Sequence, residues 1–338
     1  METGNGKYSP IKDAHLRVCL EHHVESVRTT GLETLSLAGD VPDFTAPEMD
    51  TTVRFLGKTL SLPLLIAPIT GGGSLSGLIN RHLAEAAERC RIGMAVGSER
   101  PMLEKRVGAE SYLVREWAPT VPLLANLGLV HVRRGRDYLL EAIESIRADG
   151  IILYVNPLHE ILQSDGEKDF TGALEALAEV VAAFPYPVFL KEVGCGLPDS
   201  IVRWASTIQI AGVDVAGLGG TNWPKVEGLI QGRDYSLYEG LGTGTRDAII
   251  GAAKRLREGQ YLIGSGGIRT GLDMAKALAL GAHLTSMALP FLRWARESAG
   301  EVVRGVDRLR EELLVCLWYT GSRTISALRG KVTGESRC

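Results

Sequence analysis

A lysine stands where a buried strand has little use for one. Lys191 falls near the end of the apolar run Pro187 to Val193 (PVFLKEV). A charge there must reach an anion, meet a carboxylate or shift its pKa. Schiff-base chemistry, stabilisation of an anionic flavin ring, and a plain pairing with Glu192 or another carboxylate are all open from the residue type. A second signal is Gly264-Ser265-Gly266-Gly267-Ile268-Arg269, followed by a helical segment from about Gly271. Backbone N–H groups bare of side chains beside a helix N-terminus form an anion site, so a phosphorylated cofactor or substrate is implied. The alternative is that these glycines serve only to turn the chain. No Gly-x-Gly-x-x-Gly with a following acidic residue opens the first strand-to-helix turn, so a Rossmann site is not expected.

These residues need elements to position them. Eight short apolar runs bounded by Gly or Pro follow the first sixty residues: Pro63 to Thr70, Gly93 to Ser98, Pro122 to Leu127, Ile151 to Asn156, Pro187 to Val193, Val213 to Leu218, Tyr261 to Ser265 and Ala282 to Leu289. Such runs read as strands buried on both faces. Between them apolar residues recur at helical spacing, as in Leu139, Ile143 and Ile146 or Leu177, Val180, Val181 and Phe184. Eight strands alternating with helices predict an α/β fold, a (βα)8 TIM barrel, with a doubly wound sheet as the weaker alternative. A further amphipathic helix is expected over Ala299 to Trp318. The chain is read as one domain, with residues 1 to 60 as an extension covering the barrel mouth and Thr221 to Thr243 as a long loop after strand six.

In a barrel the C-terminal strand ends converge on one mouth. They would deliver Thr70-Gly71-Gly72-Gly73, Ser98-Glu99-Arg100, Asn126, Asn156 with His159 and Glu160 beyond it, Lys191-Glu192, Gly219 to Trp223, the Gly264 to Arg269 turn, and Met287-Ala288-Leu289. Nearly every strand end is polar or glycine.

Composition narrows the partner. The 37 basic and 40 acidic side chains leave a net charge of −3, which gives no nucleic-acid footprint and no polybasic membrane patch; a small molecule is expected instead. Forty glycines in 338 residues are about 12%, against an ordinary 7% or so, and they cluster at the predicted strand ends. Cys19, Cys90, Cys195, Cys316 and Cys338 are odd in number and lack any Cys-x-x-Cys pair, so neither a disulfide scaffold nor a thiolate zinc site is expected. A cytoplasmic protein with no membrane span is predicted. His22 and His23 read as solvated, and Cys195 as a small buried thiol.

Taken together, Lys12-Asp-Ala-His15, Thr70-Gly71-Gly72, Gly97-Ser98-x-Arg100, Asn126-Leu-Gly128, Asn156-Pro-Leu-x-Glu160, Lys191-Glu-Val-Gly194, Gly219-Gly-Thr-x-Trp223 and Gly266-Gly-Ile-Arg269-x-Gly-Leu-Asp273 carry a likeness along nearly the whole chain. It resembles the type 2, FMN-dependent isopentenyl diphosphate isomerases. The resemblance implies FMN across the mouth, with its ring near Thr70, Gly71, Ser98, Asn126, Lys191 and Thr221 and its phosphate on Gly266, Gly267, Arg269 and the Ala288 loop. It implies Mg²⁺ on Glu160, a diphosphate held by Lys12, His15, Arg100 and Asn156, and Trp223 as a wall of the prenyl pocket. It further implies that FMN works reduced, with NADPH as reductant, and that the protein is a homo-oligomer.

The chain departs from the family pattern where substrate would bind. The family's N-terminal Arg is Ile11 here, its strand-four His is Tyr154, its Gln is His159, and its Trp-Gly-Ile-Pro-Thr segment becomes Leu241-Gly-Thr-Gly-Thr245. Losing two contacts to a diphosphate, at about 1.5–3 kcal/mol each, weakens its hold or favours another isoprenoid. His159 adds a group that titrates near neutrality. His159, Tyr154 and Lys191 are therefore the expected catalytic residues, in an isomerase that protonates and deprotonates an alkene of a prenyl diphosphate, or that rearranges or cyclises a longer prenyl chain. The alternatives are an FMN oxidoreductase of the 2-hydroxy-acid-oxidising type and a flavin-binding protein without turnover.

Overall fold

The computed structural model describes residues 9–105 and 108–334; the chain start from Met1 and Cys338 lie outside them. Eight parallel strands close into a barrel: β1 (Leu64–Ile66), β2 (Gly93–Ala95), β3 (Leu123–Gly128), β4 (Gly150–Tyr154), β5 (Val188–Lys191), β6 (Gly212–Asp214), β7 (Tyr261–Ser265) and β8 (Leu284–Met287). The helices are α1 (Pro10–Glu21), α2 (Ser76–Cys90), α3 (Arg100–Lys105), α4 (Arg136–Ile146), α5 (Pro157–Leu162), α6 (Ala173–Val181), α7 (Asp199–Ala205), α8 (Trp223–Gln231), α9 (Thr245–Ala253), α10 (Gly271–Ala279), α11 (Leu289–Glu297) and α12 (Ala299–Tyr319). The chain is a (βα)8 barrel, as the alternation of apolar runs predicts.

The barrel interior changes character along every strand. Leu65, Leu124, Ile152, Phe189, Ile263 and Leu284 pack together in one apolar layer. Two residues further on, Ala67, Asn126, Tyr154, Lys191, Ser265 and Ser286 line a cavity. Because side chains alternate faces along a strand, a step of two returns to the interior about 7 Å higher. The lower layer is core, and the upper one is the floor of the site.

The first sixty residues do two things rather than one. A hairpin pairs Val53–Phe55 with Lys58–Leu60 and puts Phe55 and Leu60 into the lower apolar layer, with Phe55 against Phe189 and Tyr261 at ring separations of 5.6 and 5.0 Å. That stretch closes the end opposite the mouth, which corrects the expectation that the whole extension covers it. Residues 9 to 30 lie over the mouth: the Ser9 amide donates to the Gly72 carbonyl at 2.7 Å and that of Ser26 to Gly220 at 2.8 Å.

The stretch from Thr221 to Thr243 is also not a plain loop. It contains α8, started by Asn222, whose side chain accepts from the Lys225 amide at 3.0 Å, and by Pro224 in its first turn. The glycines at 240, 242 and 244 mask this helix in the sequence. His22 and His23 are exposed, whereas Cys195 is only half-buried.

Candidate active site

Lys191 finds its carboxylate across the sheet. Its Nζ lies 2.9 Å from Asp214 Oδ2, because residues 191 and 214 are register partners on β5 and β6. Asp214 also accepts from Ser286 Oγ at 2.9 Å and from Ser265 Oγ, so its fully buried charge is satisfied on several sides. Glu192 is not the lysine's partner. Its Oε2 accepts the amides of Val193, Gly194, Cys195 and Gly196 and so shapes the turn after β5.

The glycine turn after β7 is built for close backbone approach. Gly266 and Gly267 have φ of +98° and +72°, and a Cβ on either would run into the carbonyl of Gly217 or Gly219. Thr245 braces it from beneath, donating to the Gly266 carbonyl at 2.6 Å, so the altered segment ending at Thr245 still supports the turn. This turn, Lys191, Thr221, Arg269 and Ala288 line one cavity. Arg269 is already engaged, its Nε and Nη2 donating to Glu25 Oε1 at 3.0 and 2.9 Å.

An adjoining cavity is lined by Ile11, Lys12, His15, Thr70, Ser98, Arg100, Asn126, Tyr154, His159, Glu160, Thr221, Trp223 and Ala288 among others. One of its polar groups points at nothing in the protein: Asn126 Oδ1 is buried without a hydrogen-bond partner, as is Nδ2 of Asn156, which lies behind the wall rather than on it. Its Oδ1 caps α5, accepting from the His159 amide at 3.1 Å. Gly71 lines neither cavity; a Cβ there would enter the Tyr112 ring, so packing accounts for that glycine. Thr70 and Ser76 hydroxyls pair at 2.8 Å. Arg100 is committed to Glu167 at 2.8 Å and Asp165 at 3.3 Å. Burial pushes the Tyr154 phenol up to about 12, with Glu160 adding to it, and its hydroxyl is 3.5 Å from Ser98 Oγ.

His15 and His159 converge on a residue the sequence reading missed. The Nε2 of each donates to Glu227 Oε1 at 2.8 Å, and Gln231 Nε2 donates to Oε2 at 2.9 Å. Burial alone would raise the Glu227 pKa, but the donors from His15 and His159 outweigh it and hold the carboxyl well below its usual range. Burial lowers the His159 pKa, opposed by its Glu227 bond. Trp223 stacks on His159 with centroids 4.3 Å apart, and its Nε1 donates to the Val193 carbonyl at 2.9 Å. Glu227 was findable as an acid four residues after Trp223, on the buried side of a helix, had the segment been read as one. Glu160 turns away from this cluster: its Oε2 accepts the Glu167 amide at 2.6 Å, and burial raises its pKa.

A closed (βα)8 barrel with a bare glycine turn after β7, a buried lysine at the end of β5 and an unpartnered Asn126 Oδ1 in the cavity wall is the setting expected of an FMN-dependent (βα)8 enzyme. The comparisons agree: the FMN-dependent dehydrogenase family matches over residues 171–334. The chain is similar to solved structures of mandelate oxidase, one with a monooxide FMN adduct (TM-score 0.67, 18% identity, 98% of this chain and 94% of that one) and one with (S)-mandelic acid (0.66, 19%, 98% and 92%); at that identity the likeness is one of fold. It is 41% identical over 96% of both chains to a protein of Mycolicibacterium gilvum named isopentenyl-diphosphate delta-isomerase. It is 38% identical to one of the same name from Pyrococcus furiosus, over 94% of this chain and 84% of that one. The chain belongs to the FMN-dependent isopentenyl-diphosphate isomerase family, and is an FMN-dependent isomerase.

Proposed function

We propose that this enzyme moves a double bond in a prenyl diphosphate, of the isopentenyl to dimethylallyl type or in a longer isoprenoid that it rearranges or cyclises, by adding and removing protons. The observation that supports it most is the His15–Glu227–His159 arrangement at the mouth in a chain whose relatives carry the isomerase name. Reduced FMN, when bound, supplies a ring nitrogen that gives and takes a proton.

The residues present fit FMN. The Gly266–Gly267 turn would hold its phosphate, and Asn126 with its unpartnered Oδ1, Ser98, Thr70, Thr221 and Ala288 would surround its ring, over Lys191, whose ammonium favours an anionic ring. Arg269 would serve the phosphate by leaving Glu25.

His159 donates Nε2–H to Glu227, which fixes the tautomer and leaves the Nδ1 lone pair as its basic site. Its lowered pKa keeps it neutral and ready to accept a proton. Tyr154, protonated at any ordinary pH, would donate a hydrogen bond and would not act as a base. Lys12, His15 and Arg100 on the cavity wall would orient the diphosphate, with Asn156 behind it holding the start of α5, and the face of Trp223 would exclude water from a developing cation. One Glu160 oxygen is left for Mg²⁺, a hard cation that completes its shell with water and phosphate oxygens. NADPH as reductant, a cytoplasmic site of action and a homo-oligomer complete the proposal. Cys19, Cys90, Cys195 and Cys316 are all unpaired thiols, and no helix among the described residues is long and apolar enough to cross a membrane.

The oxidoreductase alternative has less support. The 2-hydroxy-acid-oxidising barrels pair a histidine with an arginine near the later strands. Here His283 lies against Tyr261 at the closed end, its Nδ1 accepting the Leu262 amide at 2.9 Å. Incubating the reduced enzyme with isopentenyl, geranyl or farnesyl diphosphate in deuterated water tests the proposal. Deuterium in recovered substrate or product is expected, and none in any of the three would refute it.

A further inference from the structure

The three atoms that meet at the mouth form a ligand set. His15 Nε2, His159 Nε2 and Glu227 Oε1 lie within 4.8 Å of one another, each nitrogen 2.8 Å from the oxygen. Two imidazoles on the cavity wall and one carboxylate buried beside them are the donors of a three-ligand zinc site. Ligands at about 2.0–2.1 Å in tetrahedral array stand about 3.3 Å apart, so each N–O contact need open by only about half an ångström, while the two imidazole nitrogens come to that spacing from within 4.8 Å.

The arrangement is supported from behind. Gln231 holds the other oxygen of Glu227, and Tyr235 Oη in turn donates to Gln231 Oε1 at 3.1 Å. The Trp223 stack fixes the plane of the His159 ring. Such outer partners orient the ligands of metal sites. Lys12, on the same cavity wall, is the cation that works against an ion here.

We infer that His15, His159 and Glu227 bind one divalent transition metal of the zinc class, at a site separate from Glu160. Both imidazoles would present Nε2 lone pairs by moving their protons to Nδ1, so neutral rings release no proton. Imidazole donors favour zinc over magnesium, which separates this site from a hard-cation site on Glu160. Metal held here would occupy the His159–Glu227 contact and compete with any proton transfer that uses it. The site depends on an imidazole at 159; the family pattern's glutamine offers none.

The FMN-loaded enzyme is titrated with Zn²⁺ by calorimetry and, in parallel, with Co²⁺ by visible absorption. One ion per chain and an intense tetrahedral cobalt spectrum are expected. His159→Gln and Glu227→Gln should each weaken zinc more than about 100-fold, beyond the 10–100-fold loss typical of an outer partner, and Gln231→Ala by about 10-fold. Glu160→Gln should leave zinc affinity unchanged, with retained FMN absorbance reporting the fold of each variant. A wild-type enzyme that binds no stoichiometric zinc, or whose cobalt spectrum is that of an all-oxygen octahedral site, overturns the inference. So does undiminished zinc binding by both His159→Gln and Glu227→Gln. The wild-type readings stand even if a variant fails to fold.

Discussion

Lys191 and Asp214 face each other as register partners on adjacent strands, with Nζ and Oδ2 2.9 Å apart in the barrel interior. The pair is the charged part of a layer that elsewhere is alanine, serine, asparagine and tyrosine, and it lies directly above hydrocarbon.

Removing one partner leaves the other buried and alone. Lys191→Met should cost about 3–5 kcal/mol of stability, as should Asp214→Leu, whereas the double variant should lose markedly less than the sum. Urea denaturation of the four proteins gives the coupling; simple additivity would show that the two charges do not depend on each other.

The turn after β7 tolerates no side chain. Gly267→Ala forces a β-carbon against the Gly219 carbonyl at a φ of +72°. The variant should fold yet be purified without flavin, seen as loss of the visible flavin bands with the far-UV circular dichroism kept. A variant that retains full flavin would show that this turn is not where the phosphate lies.

Substrate affinity should be restorable. Ile11 lies on the cavity wall where the family pattern has arginine, and a charge-assisted bond is worth about 1.5–3 kcal/mol. Ile11→Arg should lower the KM for isopentenyl diphosphate by about 10-fold or more. An unchanged KM would mean the diphosphate is held elsewhere.

The Glu227 carboxyl titrates below its unfolded value, so the folded state binds fewer protons than the unfolded one under acid. The stability this confers is fully present above the ordinary carboxylate pKa of about 4.3 and is lost as pH falls through and below it. Glu227→Gln should therefore be less stable near pH 7 and show a flatter decline of stability below about pH 5. Thermal melts from pH 7 to pH 3 decide it; parallel curves for the two proteins would contradict the depressed pKa.

Much of the barrel was legible because strands buried on both faces leave continuous apolar runs, and because Lys191 and the Gly266 turn violate the chemistry around them. Asp214 was hidden inside such a run, and nothing local says that β5 and β6 pair it with Lys191. Glu227 was hidden for another reason. The surrounding glycines suggested a loop, so the helical spacing from Trp223 went unread and with it the partner of both histidines. Arg100 and Arg269 were readable as cations near a phosphate site, but their pairing with Glu167 and Glu25 depends on contacts across 67 and 244 residues of chain. Gly71 illustrates the converse. Its glycine is required by the Tyr112 ring rather than by a ligand.

The hairpin around Phe55 makes the barrel a cup rather than a tube. Among the described residues the polar layer is backed by hydrocarbon on one side and opens on the other toward a rim that lies beneath residues 9 to 30. Anything that lifts this segment, by parting Ser9 from Gly72, Ser26 from Gly220 or Glu25 from Arg269, changes access to cofactor and substrate together. The start of the chain thus covers the site, while the lysine, the aspartate and the glycine turn beneath it stand on or just after β5, β6 and β7.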